Sequence, residues 1–70
     1  MEGPIQLLGT VIEALPDNVF QVKLPNGHVV LGRPSGQLRK SPVVIQVGDS
    51  VQVELSPYDL TRGKITGRQP

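Results

Sequence analysis

The chain has 70 residues, seven Lys and Arg against six Asp and Glu, and a formal net charge of +1. That length allows one small domain with a modest core, and the lack of cysteine excludes both a disulfide framework and a thiolate metal site. No apolar run approaches a membrane span and no secretory leader is readable at Met1-Glu2-Gly3-Pro4, so a soluble cytoplasmic protein with no membrane partner is expected.

In chain order, residues 7–15 carry Val11 and Ile12 and run into the turn cluster Pro16-Asp17-Asn18, which makes them a first strand. Phe20, Val22 and Leu24 alternate with Gln21 and Lys23, the pattern of a half-buried second strand. Asn26-Gly27 stands between that run and Val29-Val30-Leu31 and predicts a hairpin with both residues at positive φ, as a type I′ turn requires. Gly32, Pro34 and Gly36 are expected to end the third strand. Residues 35–40 can form one helical turn, with Ser35 as N-cap and Pro42 as its limit. Residues 43–47 are apolar and suit a connector laid over the core. After the turn Gly48-Asp49, Val51, Val53 and Leu55 alternate with Gln52 and Glu54 as a fourth strand. Pro57-Tyr58-Asp59 turns the chain into a fifth strand over residues 62–68, with Asp59 and Thr61 bracing the turn. Residues 1–4 and 69–70 are expected to be flexible ends.

Five short strands with one short helix between the third and fourth is the element order of an all-β, five-stranded OB-fold barrel, here a single domain over residues 1–70. Closing the sheet on itself removes open edges, which suits so short a chain. The alternation predicts a core of Val11, Phe20, Val22, Leu24, Val30, Val51, Val53, Leu55 and Ile65.

Chemistry is sparse. His28 is the only histidine, and scattered carboxylates with no second ligand cluster do not suggest a metal site or a cofactor. The serines lack a basic partner, and no phosphate-loop glycine pattern is present. The chain therefore reads as a non-enzyme. Its charge is concentrated instead: Arg33, Arg39, Lys40, Arg62, Lys64 and Arg68 are six of the seven basic residues, in two segments. Arg62, Lys64 and Arg68 stand at alternate positions and are expected on one face of the fifth strand. Clustered cations suit a phosphate backbone, although the same stripe also fits a merely solvated face. Phe20 and Tyr58 are the only aromatics, and Phe20 belongs to the core pattern, so a row of stacked bases is poorly supported. Docking to folded RNA through charge and shape is favoured over stacking. Tyr58 and His28 remain further candidate contacts, His28 as an exposed residue at a strand start. A general RNA-binding or RNA-chaperone module and a protein-interaction barrel stay open beside that reading.

These residues also resemble a known family. Gly9-Thr10-Val11-Ile12-Glu13-Ala14-Leu15-Pro16, Phe20, Asn26-Gly27-His28-Val29-Val30, Ser35-Gly36, Arg39-Lys40, Gly48-Asp49 and residues 57–65 stand in the order and spacing of bacterial-type translation initiation factor 1. The resemblance covers residues 9–68. It implies a non-enzymatic OB-fold factor that binds 16S rRNA at the A site, in the decoding region of the small ribosomal subunit. There it would block premature tRNA entry, lie beside a ribosomal protein and cooperate with the other initiation factors, as a monomer when free. A cytoplasmic or a plastid home is compatible with it. The element at residues 35–40 would reach a ribosomal RNA minor groove and displace decoding adenines. In it Ser35 and Gly36 would permit close approach, Arg39 and Lys40 would meet phosphate, and Arg33, Arg62, Lys64 and Arg68 would add basic contacts. The chain departs from the family pattern at several places. Many members carry His at the position of Arg33 and Ile at that of Pro34. Many have Tyr-Ile-Arg in place of Pro42-Val43-Val44, an aromatic in place of Gly67, and tails more basic than Gln69-Pro70. A charged N-terminal lead is replaced by Met1-Glu2-Gly3-Pro4. Each lost phosphate contact should flatten the salt dependence of RNA binding by about 0.7–0.9 in slope.

Overall fold

A computed structural model describes residues 3–39 and 44–69. Strand β1 (Ile5–Leu15) is long enough to serve two neighbours: its first half pairs with β4 and its second half with β2. β2 (Val19–Lys23) and β3 (Val29–Pro34) form an antiparallel hairpin. β4 (Ser50–Ser56) and β5 (Asp59–Gln69) form a second one. β3 then pairs with β5 in parallel, which closes the sheet in the order β1-β2-β3-β5-β4. The result is an all-β, five-stranded closed barrel of OB-like topology with almost no helix. Between β3 and β4 the described residues contain a single four-residue helical turn, α1 (Gly36–Arg39).

The interior follows from side-chain alternation. All nine expected core residues are buried: Val11, Phe20, Val22, Leu24, Val30, Val51, Val53, Leu55 and Ile65. Leu7, Leu38 and Ile45 pack against them from the rim. Val53 opposes Ile65 across β4 and β5, and Val11 opposes Val22 across β1 and β2, so facing strands deliver their apolar residues to the same side. Gly9 faces inward opposite Val51, where a Cβ would lie 2.5 Å from Val22 Cγ1 and 2.9 Å from the Lys23 carbonyl. Only a residue without a side chain fits there.

Several local expectations are corrected. The β2–β3 turn is not type I′. Gly27 N–H donates to Leu24 O at 2.9 Å and Leu24 N–H to His28 O at 2.7 Å, while Gly27 alone has positive φ (+91°). Pro25 and Asn26 are thus the central pair of a type I-like turn, with Gly27 as the left-handed residue that follows. Pro25 decides this, because its ring holds φ negative at the first central position. The paired positive φ values occur instead at Asp17 (65°) and Asn18 (62°) in the short 3-10 turn Pro16–Asn18. β3 does not stop at Gly32 but runs to a buried Pro34. Ser35 N–H donates to Ile65 O at 2.9 Å. By alternation, the Pro34 nitrogen faces the β2 side, where pairing already ends at Phe20–Gly32. At the other end of the chain Gln69 pairs with Ser50. Of the apolar connector only Ile45 reaches the core, while Val44 and Val47 are exposed. Val43 lies outside the described residues.

Candidate nucleic-acid interface

The parallel pairing of β3 with β5 builds a basic wall. Register sets Leu31 beside Arg62 and Arg33 beside Lys64, and Lys64 is opposite Glu54 of β4 on its other side. Arg33, Arg62 and Lys64 are all exposed. Outward positions on adjacent strands lie close enough for their side chains to act together. A groove of about 290 Å³ runs between the strands, lined by Val19, Leu31, Arg33, Arg62 and Gly63. A second, of about 250 Å³, flanks β5 on the β4 side and shares Arg62 and Gly63 while adding Lys64 and Glu54. Arg62 therefore stands on the ridge between two depressions. Between Arg62 and Lys64, Gly63 turns inward, where a Cβ would lie 2.7 Å from Leu55 Cδ2 and 2.8 Å from the Glu54 carbonyl, so only glycine fits.

Arg68 does not join this wall. β5 carries a bulge, since Gln52 pairs with Gly67 but Val53 pairs with Ile65, leaving Thr66 unopposed. One extra residue reverses the alternation beyond it. Arg68 consequently sits opposite the inward-facing Val51, at the barrel rim, and its Nε lies 3.1 Å from Asp49 Oδ2. The single-face stripe expected for Arg62, Lys64 and Arg68 is thereby broken into a pair on the wall and a rim ion pair.

The connector starts at the end of β3. Ser35 caps α1, its Oγ accepting from Leu38 N–H at 3.2 Å, and Leu38 anchors the turn to the core. Gly36 is exposed, with open space where a Cβ would stand. Arg39 ends α1; its side chain and the whole of Lys40 lie outside the described residues.

His28 and Tyr58 belong to the opposite end of the barrel. β3 separates His28 from Ser35 by roughly 17–20 Å, the length of a six-residue strand. His28 is exposed, its N–H donating to Asn26 Oδ1 at 3.0 Å. It rims a largely apolar hollow of about 270 Å³ formed with Ile5, Leu7, Leu24, Leu55 and Leu60. Tyr58 is 80% exposed, which removes it from the core. The turn beneath it is braced as expected: Asp59 Oδ1 accepts from Thr61 Oγ–H at 2.6 Å and from Thr61 N–H at 3.1 Å. These two bonds, helped by the Arg62 charge, hold the Asp59 carboxyl below the usual aspartate range.

Four participants in the wall and rim were not singled out from sequence. Val19 and Leu31 look like ordinary strand residues, Glu54 like a solvated acid, and Asp49 like a turn residue. The β3–β5 closure, the β4–β5 register and the bulge give them these neighbours. No helix among the described residues is long and apolar enough to cross a membrane.

The protein-family model for translation initiation factor 1A / IF-1 matches residues 1–69. Among solved structures, that of translation initiation factor 1 from the Wolbachia endosymbiont strain TRS of Brugia malayi is similar, with a TM-score of 0.80 and 38% identity. The match covers 96% of this chain and 79% of that one. A model match over nearly the whole chain, joined to the closed barrel and its basic wall, places this protein in the translation initiation factor 1A / IF-1 family.

Proposed function

We propose that the chain binds 16S rRNA of the small ribosomal subunit in the decoding region, at the A site. There it blocks premature tRNA entry beside a neighbouring ribosomal protein and cooperates with the other initiation factors. It acts as a monomeric single-domain factor in the compartment of its ribosomes, by occupancy rather than chemistry. The observation that carries this reading is the juxtaposition of Arg33, Arg62 and Lys64 on β3 and β5. Three exposed cations around shallow grooves suit phosphates of a folded RNA. Phe20 is buried, which leaves Tyr58 as the one exposed aromatic, so no row of aromatics accompanies them. The connector residues Ser35, Gly36, Arg39 and Lys40 form the inserted element, with Gly36 open to close approach.

Cosedimentation with small subunits over a salt series, with and without an A-site competitor, tests the proposal. Expected are pelleting that weakens with salt, release by the competitor, and weaker binding with a flatter salt slope for Arg39→Ala combined with Lys40→Ala. Equal affinity for unstructured RNA would instead identify a general RNA-binding or RNA-chaperone module. Absence of any salt-dependent RNA binding would leave a protein-interaction barrel.

A further inference from the structure

Asp49 and Arg68 form a junction that the RNA-binding wall does not use. Asp49 Oδ2 accepts from Gln46 N–H at 2.8 Å and also meets Arg68 Nε at 3.1 Å. The Asp49 main chain is fixed too: its N–H donates to Gln46 O at 3.1 Å, and its carbonyl accepts from Val11 N–H at 2.9 Å. Gly48 N–H returns a bond of 2.7 Å to Val11 O, at a φ of +95° that glycine adopts without strain. Residues 46–49 are therefore tied to β1 by backbone and to β5 by a charge pair. Both anchor points adjoin bulges, one at Ile12 beside Val11 and one at Thr66 beside Arg68. A bulge re-aims the side chains that follow it. Were Thr66 paired in regular alternation instead of bulged, Arg68 would turn outward with Lys64; with the bulge, Arg68 reaches Asp49.

We infer that Arg68 is a positioning residue rather than a phosphate contact. Through Asp49 it clamps the end of the connector to β5, and so sets where the chain that carries the RNA-contacting element at residues 35–40 returns to the barrel. The pair is suited to that task. Asp49 is mostly shielded, with 19% of its side chain exposed, and is already committed to a turn. A carboxylate held at 3.1 Å also neutralises the charge that a phosphate contact by Arg68 would need. This inference rests on the reading that residues 35–40 meet ribosomal RNA.

Two substitutions distinguish the roles with opposite signs. Asp49→Asn retains an oxygen for Gln46 N–H but discharges the pair. If Arg68 touched phosphate, releasing it from a carboxylate would tighten RNA binding or leave it unchanged. A clamp predicts the reverse: Asp49→Asn and Arg68→Met each weaken small-subunit binding by about two- to fivefold, the range of a partly exposed ion pair. The double variant should lose no more than either single one. The salt slope of Arg68→Met should match that of the parent, whereas Arg62→Met flattens it by about 0.7–0.9. Binding is compared at a temperature where circular dichroism finds all variants equally folded. In the free protein, amide exchange at Gln46 and Gly48 should quicken in Arg68→Met while core amides of β4 stay protected. Tighter binding by Asp49→Asn, a flattened slope for Arg68→Met, or unchanged exchange at Gln46 and Gly48 overturns the clamp. If the parent chain does not bind small subunits, the functional reading fails, and the exchange measurement still decides whether Arg68 holds the connector.

Discussion

Arg62 is the wall cation that borders both grooves. Arg62→Ala should weaken small-subunit binding and flatten its salt slope by about 0.7–0.9, and Lys64→Ala should do the same. A filter-binding or cosedimentation series between low and moderate salt reads both. Next to Arg62, Thr61 donates twice to Asp59, and this is the main reason the carboxyl is held low. A depressed folded-state pKa stabilises the fold above the ordinary aspartate range, and the contribution is lost as pH falls through the folded value. Thr61→Val removes the stronger bond, so the Asp59 pKa should move up toward the ordinary value in a carboxyl NMR titration. An unmoved pKa would mean that Thr61 is not its cause. The residue types along this stretch were readable in advance, including the Asp59–Thr61 brace. The partner of Arg68 was not, since it depends on one unpaired residue, Thr66, that no alternation pattern reveals.

At the scale of elements, the strands were legible because Phe20-Val22-Leu24 and Val51-Val53-Leu55 alternate cleanly with polar residues, and a register error would turn each set to water. The turns were less so. Asn26-Gly27 has the composition of a type I′ hairpin, yet Pro25 shifts the central pair by one residue. The parallel closure of β3 on β5 is a long-range contact, and nothing local to Val29–Pro34 or Asp59–Gln69 announces which wall residues will meet. Element logic also governs α1. A four-residue turn has too few internal bonds to persist alone, so it depends on the Ser35 cap and on Leu38 against the core. Ser35→Ala removes the acceptor for Leu38 N–H, a change that costs about 0.5–2 kcal/mol at typical caps. Since α1 is a small appendage of the barrel, the expected outcome is faster amide exchange at Leu38 and weaker small-subunit binding, with the denaturation midpoint nearly unchanged. Ser35→Asp should restore protection at Leu38 but not binding, because it caps while adding a negative charge at the proposed RNA contact.

For the whole molecule, stability and function draw on different sides of the same strands. Along β5, Ile65 is fully buried while Lys64 next to it is exposed. Among the described residues the barrel's hydrophobic core cluster has nine buried side chains, six of them Val or Ile of which less than about a fiftieth is exposed. A domain this small typically holds only about 3–5 kcal/mol in reserve. Ile65 is the largest of those fully buried residues and contacts the strand closure from both sides, opposite Val53 on β4 and beside Pro34 on β3. Truncation to Ala costs about 2–5 kcal/mol in such a site, and Ile→Val about 0.5–1.5 kcal/mol. The smaller change therefore stays well inside the reserve, whereas the larger one is comparable with the whole of it. Ile65→Val should unfold at a modestly lower urea midpoint and bind small subunits like the parent, because the wall outside β5 is untouched. Ile65→Ala should be largely unfolded at 37 °C by circular dichroism and should lose binding in proportion to its unfolded fraction. A stably folded Ile65→Ala that fails to bind would show instead that the core and the basic wall are coupled through the shape of β5, and not only through the population of the folded barrel.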